Sequence, residues 1–318
     1  MDRYCRVHPG ESCAWARRLR KDQLIQRHTT SSRFEDVVKD NSNAIYQLYW
    51  AGTRDEITQR IGRAAAAGSK ALIVTMDALP IQARDWGSPV IPAQLDLKTM
   101  IQFTPMGLSR PGWLLSYLRR RKLPDLTVPN FGDGTGSVPT MAQAFMQWLA
   151  TPLPTWKDLE WIRSLWQGPL MVKGIWHPDD ARRAIDAGAT AIGVSNHGGN
   201  NLDSTLSPLC ALPAIVDAVD GQAEISFDGG VRRGGDVFKA LALGADVTLI
   251  GRAWLFGLSA NGERGVSEVI AALRSSFDKI MLGVGHNSLS EISIEDLVVP
   301  EGFVLERSAF GALPRITT

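Results

Sequence analysis

Short apolar runs alternate along the chain with longer stretches whose apolar residues recur every three or four positions. Six runs read as strands buried on both faces: Ile45–Tyr49, Ala71–Thr75, Leu170–Lys173, Ala191–Ser195, Glu224–Asp228 and Val247–Gly251. A weaker seventh lies near Leu24–His28. The stretches between them carry helix punctuation. Ala67-Gly68, Ala187-Gly188 and Leu243-Gly244 each stand between a helical stretch and a strand, with glycine where a helix end favours a left-handed residue. Thr53 with Glu56 fits a capping box, and Pro178 followed by Asp179 and Asp180 fits a first helical turn. Thr155 caps a helix predicted over Trp156 to Trp166, whose Trp156, Leu159, Ile162 and Trp166 share one face.

Strands alternating with helices imply parallel strands joined by crossover helices. Polar residues fall repeatedly at the C-terminal ends of the strands, the face on which (β/α)₈ barrels build their sites. The expected fold is therefore an α/β TIM (β/α)₈ barrel in a single domain, 1–318, lacking its first strand, because the chain opens on loop-like His8-Pro9-Gly10-Glu11. One connection is long. No strand is evident between Asp77 and Pro169, which predicts a strand-end insertion at about 86–153 acting as a lid or substrate loop. Helices are expected there at Leu97–Phe103, Leu114–Leu118 and Met141–Leu149, with a loop over Asn130–Ser137. Its basic run, Arg119 to Lys122, reads as a solvated face.

Charge and composition narrow the function. With 34 basic and 33 acidic residues the net charge is +1, without the basic surplus of a nucleic-acid binder. No run approaches the roughly 20 apolar residues of a membrane span. Met1 to Asp22 lacks the apolar stretch of a signal peptide. Cys5, Cys13 and Cys210 match neither a metal spacing nor a disulfide framework, so reduced thiols in the cytoplasm and no metal are expected. A small-molecule substrate and a homo-oligomeric state are the remaining expectations about partners; the redox acceptor is left open.

The chemistry concentrates at strand ends. Ser195-Asn196-His197-Gly198-Gly199 is followed by Asp228-Gly229-Gly230-Val231-Arg232 and then by Gly251-Arg252. One reactive histidine with two Gly/Arg anion cradles suits redox chemistry on a phosphate-bearing cofactor. With Gln47-Leu48-Tyr49, Thr75-Met76-Asp77 and Val172-Lys173-Gly174 added, the chain resembles the FMN-dependent 2-hydroxy-acid dehydrogenase and oxidase family from about His8 to Leu289. The resemblance implies a barrel of the FMN-linked oxidoreductase type that transfers hydride to flavin from the carbon next to a carbonyl or amide. It makes His197 the base, Asp77 its orienting carboxylate, and Tyr49 a catalytic and substrate-binding hydroxyl. It gives FMN the ligands Gln47, Thr75, Lys173, Ser195, Asp228, Gly229, Gly230, Arg232, Gly251 and Arg252, the arginines and glycines serving the phosphate. Arg84 matches a substrate arginine.

Two departures sharpen the expectation. Where the family follows the glycine pair with Arg-Gln, this chain has Asn200-Asn201, which removes a guanidinium suited to a carboxylate. Asn200, as a substrate-binding residue, instead suits a neutral amide or lactam. With Tyr49–Glu56 and Arg84–Pro89 it resembles the branch that oxidatively deaminates a peptide-derived aminolactam to a keto-amide. The second departure is Gln26-Arg27-His28-Thr29-Thr30, where the family has small hydroxyl residues against the flavin. The rival expectations are an L-lactate or other 2-hydroxy-acid dehydrogenase using Arg84 alone, and a truncated, non-catalytic paralogue.

Overall fold

The computed structural model of the chain describes residues 25–27, 32–78, 96–120, 126–132, 138–202 and 204–303. Seven strands form one sheet in chain order: β1 Ile25–Arg27, β2 Ile45–Tyr49, β3 Leu72–Thr75, β4 Leu170–Ile175, β5 Ala191–Val194, β6 Glu224–Phe227 and β7 Val247–Thr248. Every pairing is parallel, and no pairing joins β7 to β1 among the described residues. This is the layout of a (β/α)₈ barrel with seven staves. The weak run near Leu24–His28 does form a strand, β1. The run expected as Val247–Gly251 forms only a two-residue strand. Residues 247–250 are only half-buried at this end of the sheet, and the chain must turn at Gly251 to start a helix.

The helices are α1 Phe34–Asp40, α2 Arg54–Ala66, α3 Leu97–Leu108, α4 Pro111–Arg120, α5 Met141–Leu149, α6 Trp156–Leu165, α7 Pro178–Asp186, α8 Pro208–Val219, α9 Gly234–Ala242 and α10 Arg252–Val284. Their starts follow the expected chemistry. Thr53 and Glu56 form the capping box of α2, and Pro178 opens α7. At α6, Asp158 accepts from the backbone N–H and the hydroxyl of Thr155. Gly68, Gly188 and Gly244 follow their helices with φ of 87°, 93° and 98°. α10 is bent at Asn261 and Gly262.

Strand alternation explains where the core and the site sit. Residues of one parity, such as Leu48, Leu72, Val74, Val172, Ile192 and Ile225, pack outward against Ile57, Ile61, Leu159 and Ile215 of the helices. Residues of the other parity point inward. At the bottom, Ile45, Ile73, Met171 and Ala191 form a small apolar layer with Ala71. One step further along the same parity stand Gln47 and Tyr49 on β2, Thr75 on β3 and Lys173 on β4, all buried. Register places Tyr49 opposite Thr75 and Thr75 opposite Lys173. The sheet therefore carries an apolar floor beneath a polar tier at its C-terminal face.

Candidate active site

His197 follows β5 in a tight turn. It is left-handed (φ 54°), as are Gly198 and Gly199 (φ 67° and 71°). Such a backbone is unusual for a residue with a Cβ, though histidine is enriched there. Asn196 holds the turn: its Oδ1 accepts from the N–H groups of Gly198 and Gly199 at 3.0 and 3.3 Å. The His197 N–H donates to Ser195 Oγ at 3.1 Å. Gly198 has no room for a side chain, because a Cβ would lie 2.5 Å from Arg252 Nη2.

The imidazole is bracketed by two groups. Its Nδ1 lies 3.2 Å from Asp77 Oδ1, and its Nε2 lies 3.5 Å from the Tyr49 hydroxyl. A carboxylate only accepts, so Nδ1 carries the proton, and in the neutral imidazole Nε2 presents its lone pair. Both side chains of the His197–Asp77 pair are about 10% exposed. Asp77 Oδ2 is buried with no hydrogen-bond partner among the described residues, a free acceptor that invites explanation. Two neighbours hold Asp77, one against its side chain and one at its backbone. Gly174 lies so close that a Cβ there would stand 2.5 Å from Asp77 Cβ and Cγ, and Asn201 Nδ2 donates to the Asp77 carbonyl at 3.1 Å.

Lys173 is the buried cation of the tier. Its Nζ donates to Ser195 Oγ at 2.8 Å and pairs with Asp228 Oδ2 at 2.9 Å, while Ser195 Oγ donates to Asp228 Oδ1 at 2.7 Å. Gln47 Nε2 donates to Thr75 Oγ1 at 2.7 Å. At the end of β6, Gly229 and Gly230 are left-handed, and a Cβ at Gly230 or Gly251 would meet nothing within 4 Å. Arg232 and Arg252 are exposed beside them, Arg252 reaching the Gly198 carbonyl at 3.0 Å.

Part of the long connection closes over the β2 end. Trp148 of α5 meets Tyr49 edge to face, with centroids 5.4 Å apart. Gln147 donates to both Glu56 oxygens at 2.7 and 2.8 Å, the Gly52 N–H donates to Thr151, and Trp50 Nε1 donates to the Pro152 carbonyl. Burial raises the Glu56 pKa, but the Thr53 N–H, Gln147 and the Thr53 hydroxyl outweigh it and hold the carboxyl below its usual range. A shallow recess lies here, lined by Trp50, Thr75, Met76, Trp148, Pro152 and Leu153 among others.

The structure thus brings together Tyr49, Asp77 and His197, and separately Lys173, Ser195 and Asp228. Asn200 is exposed, its Nδ2 donating to Asn201 Oδ1 at 3.0 Å; it is Asn201 that reaches back to Asp77. Arg84 lies outside the described residues, as do Cys5, Cys13 and most of the Gln26–Thr30 departure. Sequence reasoning missed Trp148 and the turn-holding role of Asn196. An Asn placed just before His-Gly-Gly is a readable signal for such a turn, whereas nothing marks Trp148 out from other helix aromatics.

The sequence matches the FMN-dependent dehydrogenase family over residues 5–299. The chain belongs to the FMN-dependent dehydrogenase family. It is 45% identical to the pre-mycofactocin synthase of Mycobacterium tuberculosis over 94% of this chain and 76% of that one, and 47% identical to that of Mycolicibacterium smegmatis over 93% and 75%. An L-lactate dehydrogenase of Xanthomonas campestris is 41% identical over 78% of this chain and 64% of its own. Among solved structures, the monotopic membrane protein (S)-mandelate dehydrogenase superposes with a TM-score of 0.73 at 30% identity, covering 87% of this chain and 72% of that one. As a member of this family the chain is an FMN-dependent oxidoreductase acting on a small molecule, and its fold is the family's TIM barrel.

The residues present fit FMN. The open glycine cradles with Arg232 and Arg252 could hold a phosphate. The buried Lys173 stands on the same tier as Gln47 and Thr75, where a flavin ring could lie across the strand ends. Among the described residues, no helix is long and apolar enough to cross a membrane, and no cluster of His, Cys, Asp and Glu is placed to hold a metal.

Proposed function

We propose that the chain is a pre-mycofactocin synthase-type enzyme that oxidatively deaminates a neutral aminolactam to a keto-amide. The observation that carries this reading is the identity of 45–47% over more than nine-tenths of the chain to pre-mycofactocin synthases, against 41% over 78% to a lactate dehydrogenase. The neutral Asn200-Asn201 pair supports it chemically.

FMN, when bound, accepts the hydride that leaves the substrate carbon. His197 takes the proton of the substrate amine on Nε2, while Asp77 holds Nδ1–H and stabilises the imidazolium. The Tyr49 hydroxyl positions the reacting nitrogen. Hydride and proton loss leave an imine, which water converts to ketone and ammonia. Lys173, held by Ser195 and Asp228, supplies a fixed cation where negative charge builds at the cofactor. Gln47 and Thr75 would hydrogen-bond its ring, and Gly229, Gly230, Arg232, Gly251 and Arg252 would bind its phosphate. Asn200 matches the substrate amide, and Arg84 adds an anion contact. The insertion expected at about 86–153 belongs to the same single domain, and its α5 packs Trp148 against Tyr49. The same reading places a homo-oligomer in the cytoplasm.

Rapid-mixing flavin reduction by L-lactate and by a neutral amino-pyrrolidinone tests it. The lactam amine reduces the flavin well and lactate poorly, and Asn200→Arg moves the ratio toward lactate. Efficient reduction by lactate, or an unmoved ratio, sinks the reading.

A further inference from the structure

Asp77 faces the imidazole from just past the end of its strand. Among the described residues, the last bond between β3 and β4 runs from the Met76 N–H to the Lys173 carbonyl at 2.9 Å, and Asp77 stands one residue beyond it. Its carboxylate makes one hydrogen bond among those residues, from His197 Nδ1 to Oδ1, while Oδ2 meets no donor. A single bond leaves a carboxylate free to swing about it, so the line from Oδ1 to Nδ1 depends on what holds the backbone of Asp77. Asn201 does so, its Nδ2 donating to the Asp77 carbonyl at 3.1 Å. The Asn201 amide is itself oriented. Its Oδ1 accepts from Asn200 Nδ2 at 3.0 Å, which turns the NH₂ group toward Asp77.

We propose that Asn201 is a positioning residue for the proton transfer. The left-handed run His197-Gly198-Gly199 doubles the loop after β5 back on itself. That loop therefore grips Asp77 twice, at the carboxylate through His197 and at the carbonyl through Asn201. Base and clamp belong to one short segment, so a shift of the loop carries Asp77 with it and the Nδ1–Oδ1 contact survives. Asn201 acts through Asp77 and not on the substrate. The inference rests on His197 as the base, as in the function proposed above, and holds whichever of the two substrates the site takes.

Asn201→Ala and Asn201→Gln in the FMN-loaded full chain test it. The first readout needs no substrate: the downfield Nδ1–H resonance of isotope-labelled histidine, assigned to His197 by its loss in His197→Gln. In Asn201→Ala this proton is lost to exchange with water, while flavin absorbance and far-ultraviolet circular dichroism stay those of the parent. The second readout is rapid-mixing flavin reduction, with whichever of L-lactate and the amino-pyrrolidinone reduces the parent. In Asn201→Ala the limiting rate falls about ten- to a hundredfold, and the substrate concentration that gives half of it is unchanged. Asn201→Gln keeps an amide donor and restores both readouts. The proposal is overturned by an Asn201→Ala variant that keeps the parent's resonance and limiting rate, by one whose only change is weaker substrate binding, or by an Asn201→Gln variant no better than Asn201→Ala. Efficient reduction by lactate counts against the substrate proposed above and, with the two losses present, still supports the role of Asn201.

Discussion

At the reacting end of the site, His197, Asp77 and Tyr49 are mostly buried and already in contact, whereas at the other end Arg232 and Arg252 are exposed and Gly230 and Gly251 face open space. The first arrangement is set by the chain alone: a left-handed turn, strand register, and Gly174 leaving room for Asp77. The second is a set of donors waiting for an anion. Preorganisation is concentrated where a proton must move, and the cofactor's own binding energy completes the rest.

The sharpest way to break this comparison is His197→Gln. We expect FMN to stay bound while its anaerobic reduction by substrate slows by roughly 10²–10⁴-fold, the worth of a general base. Undiminished bleaching would remove His197 from that role. Arg252→Ala should do the converse, weakening FMN retention by about 1.5–3 kcal/mol, the value of one charged hydrogen bond. Equilibrium dialysis of flavin measures it, and unaltered retention would move the phosphate elsewhere. Glu56→Ala sharpens the reacting end with the smallest effect. It removes the α2 capping box and the tie to Gln147, at a cost of about 1 kcal/mol in urea unfolding. Because the folded Glu56 pKa is lowered, the advantage of the native residue is full at neutral pH. It shrinks as pH falls below the ordinary carboxylate value of about 4.3 and through the folded one. A pH-independent difference would show that the carboxylate is not the anchor.

How much of this was legible along the chain depends on whether its cause is local. The central strands and most helix starts follow from apolar runs and caps, and the Asp77–His197 pair from the family resemblance that the strand-end motifs carry. β7 is shorter than its apolar run predicts: among the described residues no strand pairs with its far side, which no local pattern records. Met141–Leu149 was placed correctly as a helix, yet its grip on Tyr49 through Trp148 joins residues about a hundred positions apart. The sequence reading singles out Asn200 as the residue of the pair that meets substrate; in the folded chain it is Asn201 that reaches Asp77, at its backbone carbonyl, while Asn200 donates to Asn201.

Because the polar tier is assembled from consecutive strands in chain order, synthesis imposes a schedule on it. Tyr49 and Asp77 emerge early, but they acquire the imidazole only after His197 has been made, and Arg252 arrives later still. The growing polypeptide therefore cannot grasp a dinucleotide-sized or smaller phosphate ligand with both arginines until most of its length has left the ribosome. Flavin capture is a late event in the life of the nascent chain, and a translation product arrested before β7 would carry its proton-transfer pair without half of its phosphate clasp.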